Sequence, residues 1–131
     1  MRYQAALLVP IALTALATSG FGHPPSAVTA RFDTDEHLLT ITVMHDVRDA
    51  AKHYIDQIEV EHNGKKIIEQ RFKQQIDLNT QEALYRIIDA RVGDKIKVTA
   101  RCSISGKKSV EIPVEKKIEK KQGDAEAETG Q

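Results

Sequence analysis

The chain has 131 residues, with 19 basic and 19 acidic side chains that cancel to a formal charge of zero. That length points to one domain, and that balance leaves no electrostatic footprint for nucleic acid or an anionic membrane surface. Aromatic residues make up 5% and tryptophan is absent, so Ile, Val, Leu and Ala must build the core, and the single cysteine, Cys102, excludes an intramolecular disulfide.

Residues 1–22 read as a signal peptide. "MRYQ" is a short basic n-region, "AALLVPIALTALA" has the length of an apolar h-region, and "TSGFG" offers cleavage after Ser19 or after Gly22. Pro10 and Thr14 interrupt the apolar run, which is also short of the ~20 residues that span a bilayer. No cysteine is present there for a lipid anchor. The expectation is a periplasmic or secreted protein with no stable membrane anchor once processed. Under oxidising conditions a lone thiol such as Cys102 is at risk unless it is buried or bound.

The middle of the chain has period two almost throughout. "AVTARFD" (27–33) runs into the polar turn "DTDE", and "HLLTITVM" (37–44) puts Leu39, Ile41 and Val43 on one face. The polar loop "HDVRDAAK" follows, then "YIDQIEVEH" (54–62) with Ile58 and Val60 on one face. Asn63-Gly64 is a strong hairpin signal, because both residues tolerate positive φ, and "KKIIEQRF" (65–72) is the returning strand. Residues 81–90 suit a helical patch or a strand, and strand is the reading adopted because the turn "VGD" and the run "KIKVTARCS" follow directly. That run places Ile96, Val98, Ala100 and Cys102 on one face. "KKSVEIPVE" (107–115) closes the domain, with Pro113 marking an edge strand. Residues 115–131, with one isoleucine among charges, Gly, Ala and Thr, read as a disordered charged tail. Residues 23–114 are therefore expected to form an all-β fold, an immunoglobulin-like antiparallel β-sandwich of about seven strands.

Strand direction sorts the histidines. If successive strands run antiparallel, His23, His45, His53 and Cys102 fall at one pole, and His37 and His62 at the other. His45 continues the inward column of Ile41 and Val43, and Cys102 continues that of Ile96, Val98 and Ala100. Three imidazoles and a thiol at one protected pole suit a transition metal such as Fe, Cu, Ni or Zn. Taken singly, each residue has a plainer explanation: a small core cysteine, or a loop histidine that only hydrogen-bonds.

The segments "HPP" at His23, "HDVRDAAKHYI" at 45–55 and "CSISG" at 102–106 resemble the iron-binding domain of superoxide reductases, the desulfoferrodoxin and neelaredoxin group. The resemblance implies an immunoglobulin-like sandwich holding mononuclear Fe(II), with His23, His45 and His53 as equatorial donors and Cys102 as the axial ligand. It also implies reduction of superoxide to hydrogen peroxide and an external electron donor. Departures accompany it. Phe21-Gly22 stands where the family has Glu-Lys, Ser105 stands at the last histidine ligand, and the loop between His45 and His53 is longer. Lys52, Lys107 and Lys108 are candidates to replace the missing steering lysine. Cleavage after Gly22 would leave His23 as an N-terminal amine–imidazole chelate, which suits Cu as well as Fe. The alternatives are a non-catalytic metal-binding or delivery domain, and a structural sandwich with a degenerate pole.

Overall fold

The computed structural model describes residues 22–118, so the expected signal peptide and most of the charged tail lie outside the described residues. Seven strands follow in order: β1 (Ala27–Asp33), β2 (Leu38–Met44), β3 (Ile55–His62), β4 (Lys65–Arg71), β5 (Thr80–Arg86), β6 (Lys95–Cys102) and β7 (Lys107–Pro113). They form two antiparallel sheets, β1-β2-β5 and β4-β3-β6-β7, with no helix among the described residues. This is an all-β sandwich, with the expected Pro113 strand at an edge.

The alternation read in the sequence becomes the core. Leu39, Ile41 and Val43 from β2 meet Ile58 and Val60 from β3 and Ile96, Val98 and Ala100 from β6, all fully buried. Burying each large aliphatic side chain contributes about 1.5–3 kcal/mol, so three central strands supply most of the apolar gain. Asn63 (φ 49°) and Gly64 (φ 81°) make the β3–β4 turn in left-handed geometry, as the hairpin signal requires. The Asn63 side chain also accepts from the Lys95 backbone N–H at 2.9 Å, so the turn is tied to the start of β6.

Two elements differ from the sequence expectation. The strand expected over 81–90 ends at Arg86. Beyond it Ile87 donates its N–H to the His37 carbonyl (2.8 Å), and Ile87 and Ala90 tuck under the sandwich while Ile88 is exposed. The apolar pair Ile87-Ile88 thus serves as a lower plug and a surface residue rather than as strand. The second difference lies in β3, whose pairing with β6 shifts register between Ile55 and Gln57. This bulge inserts a residue, so that Ile55 and Ile58, three apart, both point inward.

Candidate metal centre

Three separate segments deliver the histidines. His45 is the residue after β2 and keeps the inward phase of that strand, with a fully buried ring. Its backbone N–H donates to the Asn79 carbonyl at 2.8 Å, which fixes where the chain leaves the sheet. His53 ends a one-turn loop in which the Asp49 carbonyl accepts from the N–H of Lys52 (3.2 Å) and of His53 (2.9 Å). The β3 bulge then decides its direction. Strict alternation back from Ile58 would send Asp56 and Tyr54 inward and His53 outward. With the extra residue, the inward phase passes from Ile58 to Ile55 and on to His53.

His23 comes from residues 22–26, a strap laid across the pole before β1. Ser26 donates its N–H to the Met44 carbonyl (2.8 Å), and Lys108 Nζ donates to the Ser26 carbonyl (2.7 Å). The strap also fits tightly onto the loop after Cys102. A Cβ on Gly22 would lie within 2.6 Å of the Ile104 side chain, and one on Gly106 would lie 2.8 Å from Pro24 Cβ. Glycine at both places lets two backbones touch.

The result is a triangle of imidazoles. Ring centroids are 4.7 Å apart for His23–His45, 4.9 Å for His23–His53 and 4.7 Å for His45–His53, with the planes tilted between 51° and 85°. One ring nitrogen from each lies within 4.8 Å of the others, so the three could hold a metal ion. Burial pushes the His53 pKa below the ordinary histidine value, and positive charge on His45 and then on His23 pushes it the same way. The neutral ring, which has a lone pair to donate, is thereby favoured.

Cys102 ends β6, opposite Ile55, and is 3% exposed. Its Sγ lies 3.1 Å from His53 Nε2 and accepts from the Ile104 N–H at 3.4 Å. The thiol thus adjoins the triangle through His53, while the mutually close set is the three histidines. His23, the exposed member, has Nε2 at 3.0 Å from the Asp46 carbonyl and Nδ1 at 3.1 Å from the Pro24 carbonyl. The donor chemistry, three imidazoles and a neighbouring thiol, fits a transition metal.

The lysines expected to steer an anion, Lys52, Lys107 and Lys108, are all exposed. Lys52 is 84% exposed and pairs with Asp49 at 3.7 Å. Lys107 begins β7 opposite Arg101 and is exposed, on the rim of a shallow recess behind Ser103 and Ile104. Lys108 is engaged with the strap. Ser105 is exposed on the same loop, with its amide against Gly22.

One residue of the site had no signal in the sequence. Gln75, in the loop between β4 and β5, is 2% exposed. Its Oε1 accepts from the Ile55 N–H (3.2 Å) and lies 2.9 Å from His45 Nδ1, and its Nε2 donates to the carbonyls of His45 (2.7 Å) and Asp77 (3.1 Å). No motif distinguishes it from the adjacent exposed Gln74 in "KQQIDLN". No family model and no curated protein matches the chain, so the side chains themselves carry the functional reading.

Proposed function

We propose that this is an exported, superoxide reductase-like protein that binds a single redox metal, iron, through His23, His45, His53 and Cys102. The observation that carries the reading is the convergence of three imidazoles, from three separate chain segments, to within 4.8 Å beside a buried thiol. Three imidazoles beside a thiol are a donor set that a transition-metal cation can share. The chemistry that iron supplies in such a site is one-electron reduction of superoxide, which leaves as hydrogen peroxide after taking two protons from solvent. The chain's own part is to keep His53 neutral, to hold Cys102 away from oxidants, and to shield the rings beneath the strap. An external donor must return the electron. Support for export comes from the apolar run in residues 1–22.

A second reading, metal storage or delivery without catalysis, is favoured by a specific observation. His23 is exposed and sits on a strap outside the strand ladder, and Ser105 stands where the resemblance would place a further histidine ligand. A ligand on a strap can leave more easily than one on a strand.

The test is metal content by mass spectrometry on protein processed in cells, with the visible spectrum recorded alongside. The expected outcome is about one iron per chain with a thiolate-to-metal absorption band that disappears in Cys102→Ala, together with consumption of superoxide. Iron without superoxide consumption would select the delivery reading. Protein without metal after reconstitution would overturn both.

A further inference from the structure

We propose that Gln75 is a positioning residue, which holds His45 in its Nδ1–H tautomer and so makes Nε2 the metal-binding atom of that ring. The inference rests on the metal-centre reading above.

The orientation of the Gln75 amide is set by groups that have no choice. The Ile55 backbone N–H can only donate, and it meets Oε1 at 3.2 Å. The carbonyls of His45 and Asp77 can only accept, and they meet Nε2 at 2.7 and 3.1 Å. Flipping the amide would turn its two N–H groups onto a donor and its oxygen onto two acceptors. Gln75 Oε1 is therefore an acceptor, and His45 Nδ1, 2.9 Å away, must carry the proton. The amide is in turn anchored by its own backbone, whose N–H donates to the Ala50 carbonyl at 3.0 Å.

A neutral imidazole has one N–H. With the proton on Nδ1, the Nε2 of His45 has only a lone pair to present, and it faces the His23 carbonyl oxygen at 3.1 Å. In the neutral ring, two acceptors at that separation repel one another. A metal ion accepting the Nε2 lone pair relieves that repulsion, and the partner on Nδ1 strengthens the ring as a donor. The same amide fastens the loop after β4 to the ends of β2 and β3, so the tautomer is set by the closing of the pole itself.

The test reads the tautomer directly. Nitrogen NMR of ¹⁵N-histidine-labelled apo protein, at a pH of about 8.5 where imidazoles are ordinarily neutral, should show His45 protonated at Nδ1 alone. In Gln75→Met the proton should redistribute toward Nε2, and affinity for cobalt(II) should fall by about 10- to 100-fold. Gln75→Glu keeps an acceptor toward Nδ1 and should retain the wild-type tautomer, while its second oxygen meets the His45 and Asp77 carbonyls and lowers stability. A role limited to loop packing would leave the tautomer unchanged in both variants. Finding His45 protonated at Nε2 in the wild-type protein would overturn the inference without any variant having to fold. So would a Gln75→Met protein that binds cobalt as tightly as wild type. Failure of the wild-type protein to bind cobalt at all would instead sink the metal-centre reading, and this inference with it.

Discussion

At the pole away from the histidine triangle, His62 Nε2 lies 2.8 Å from Asp94 Oδ2, and the same oxygen accepts from the Arg91 N–H at 2.8 Å. The Arg91 bond first, then those to His62 and Asn63, pull the Asp94 carboxyl down from 3.8 to about 2. A depressed carboxyl binds fewer protons folded than unfolded, so its stabilisation is complete above about pH 4 and is lost as the pH falls toward 2. Acid unfolding of Asp94→Asn should therefore show less pH dependence between about 4 and 2 than wild type, with lower stability at neutral pH. Parallel titrations of the two proteins, followed by circular dichroism, would check this. Residues also differ in how far the sequence reveals them. His45 and Cys102 could be placed because each prolongs an apolar column whose period is unmistakable. His23 could be placed by chain direction alone. Gln75 could not, because its role depends on carbonyls and an N–H presented by three distant segments, and no local pattern encodes that.

Among the elements, the strap at residues 22–26 and the loop after β6 hold each other through close contacts at Gly22 and Gly106. Gly106 has φ of 88°, and a Cβ there would lie 2.8 Å from Pro24 Cβ and 3.0 Å from Pro24 Cα and N. Gly106→Ala should cost about 1–2 kcal/mol from the left-handed backbone alone. It should also lift Pro24, and His23 with it, lowering metal affinity roughly tenfold if a similar energy is lost there. Thermal unfolding and a cobalt titration would read the two effects separately. The β3 bulge works by the same kind of local geometry. Counting alternation through residues 54–62 gives the correct inward face at Ile58 and Val60 but the wrong direction for His53. The extra residue that corrects it leaves no mark in a sequence where Ile55, Gln57 and Ile58 are all buried. Hairpins and central strands were readable because turn chemistry and hydrophobic period agree. The end of β5 was not, since Ile87-Ile88 extends the apolar run past the point where the ladder stops.

For the molecule as a whole, the proposed ligand residues come from nearly the full span of the domain. His23 precedes the first strand and Cys102 ends the sixth, with His45 and His53 between them. An unfolded chain cannot assemble this set, so the free energy of metal binding is largely free energy of folding. Loading with iron should raise the melting temperature by at least about 10 °C in a domain of this size, and a strong chelator should reverse the shift. Calorimetric scans with and without chelator would measure it, and a melting temperature indifferent to metal would contradict the centre. The strap gives this a further consequence. With one cysteine the chain has no intramolecular disulfide, yet an ion held by His23 and Cys102, as proposed, would close a loop spanning most of the domain. By the chain-entropy estimate for a covalent bridge of that length, such a closure is worth about 4.5 kcal/mol. The ion would thus be the cross-link of a protein that has no disulfide, and one that a change in metal supply could undo.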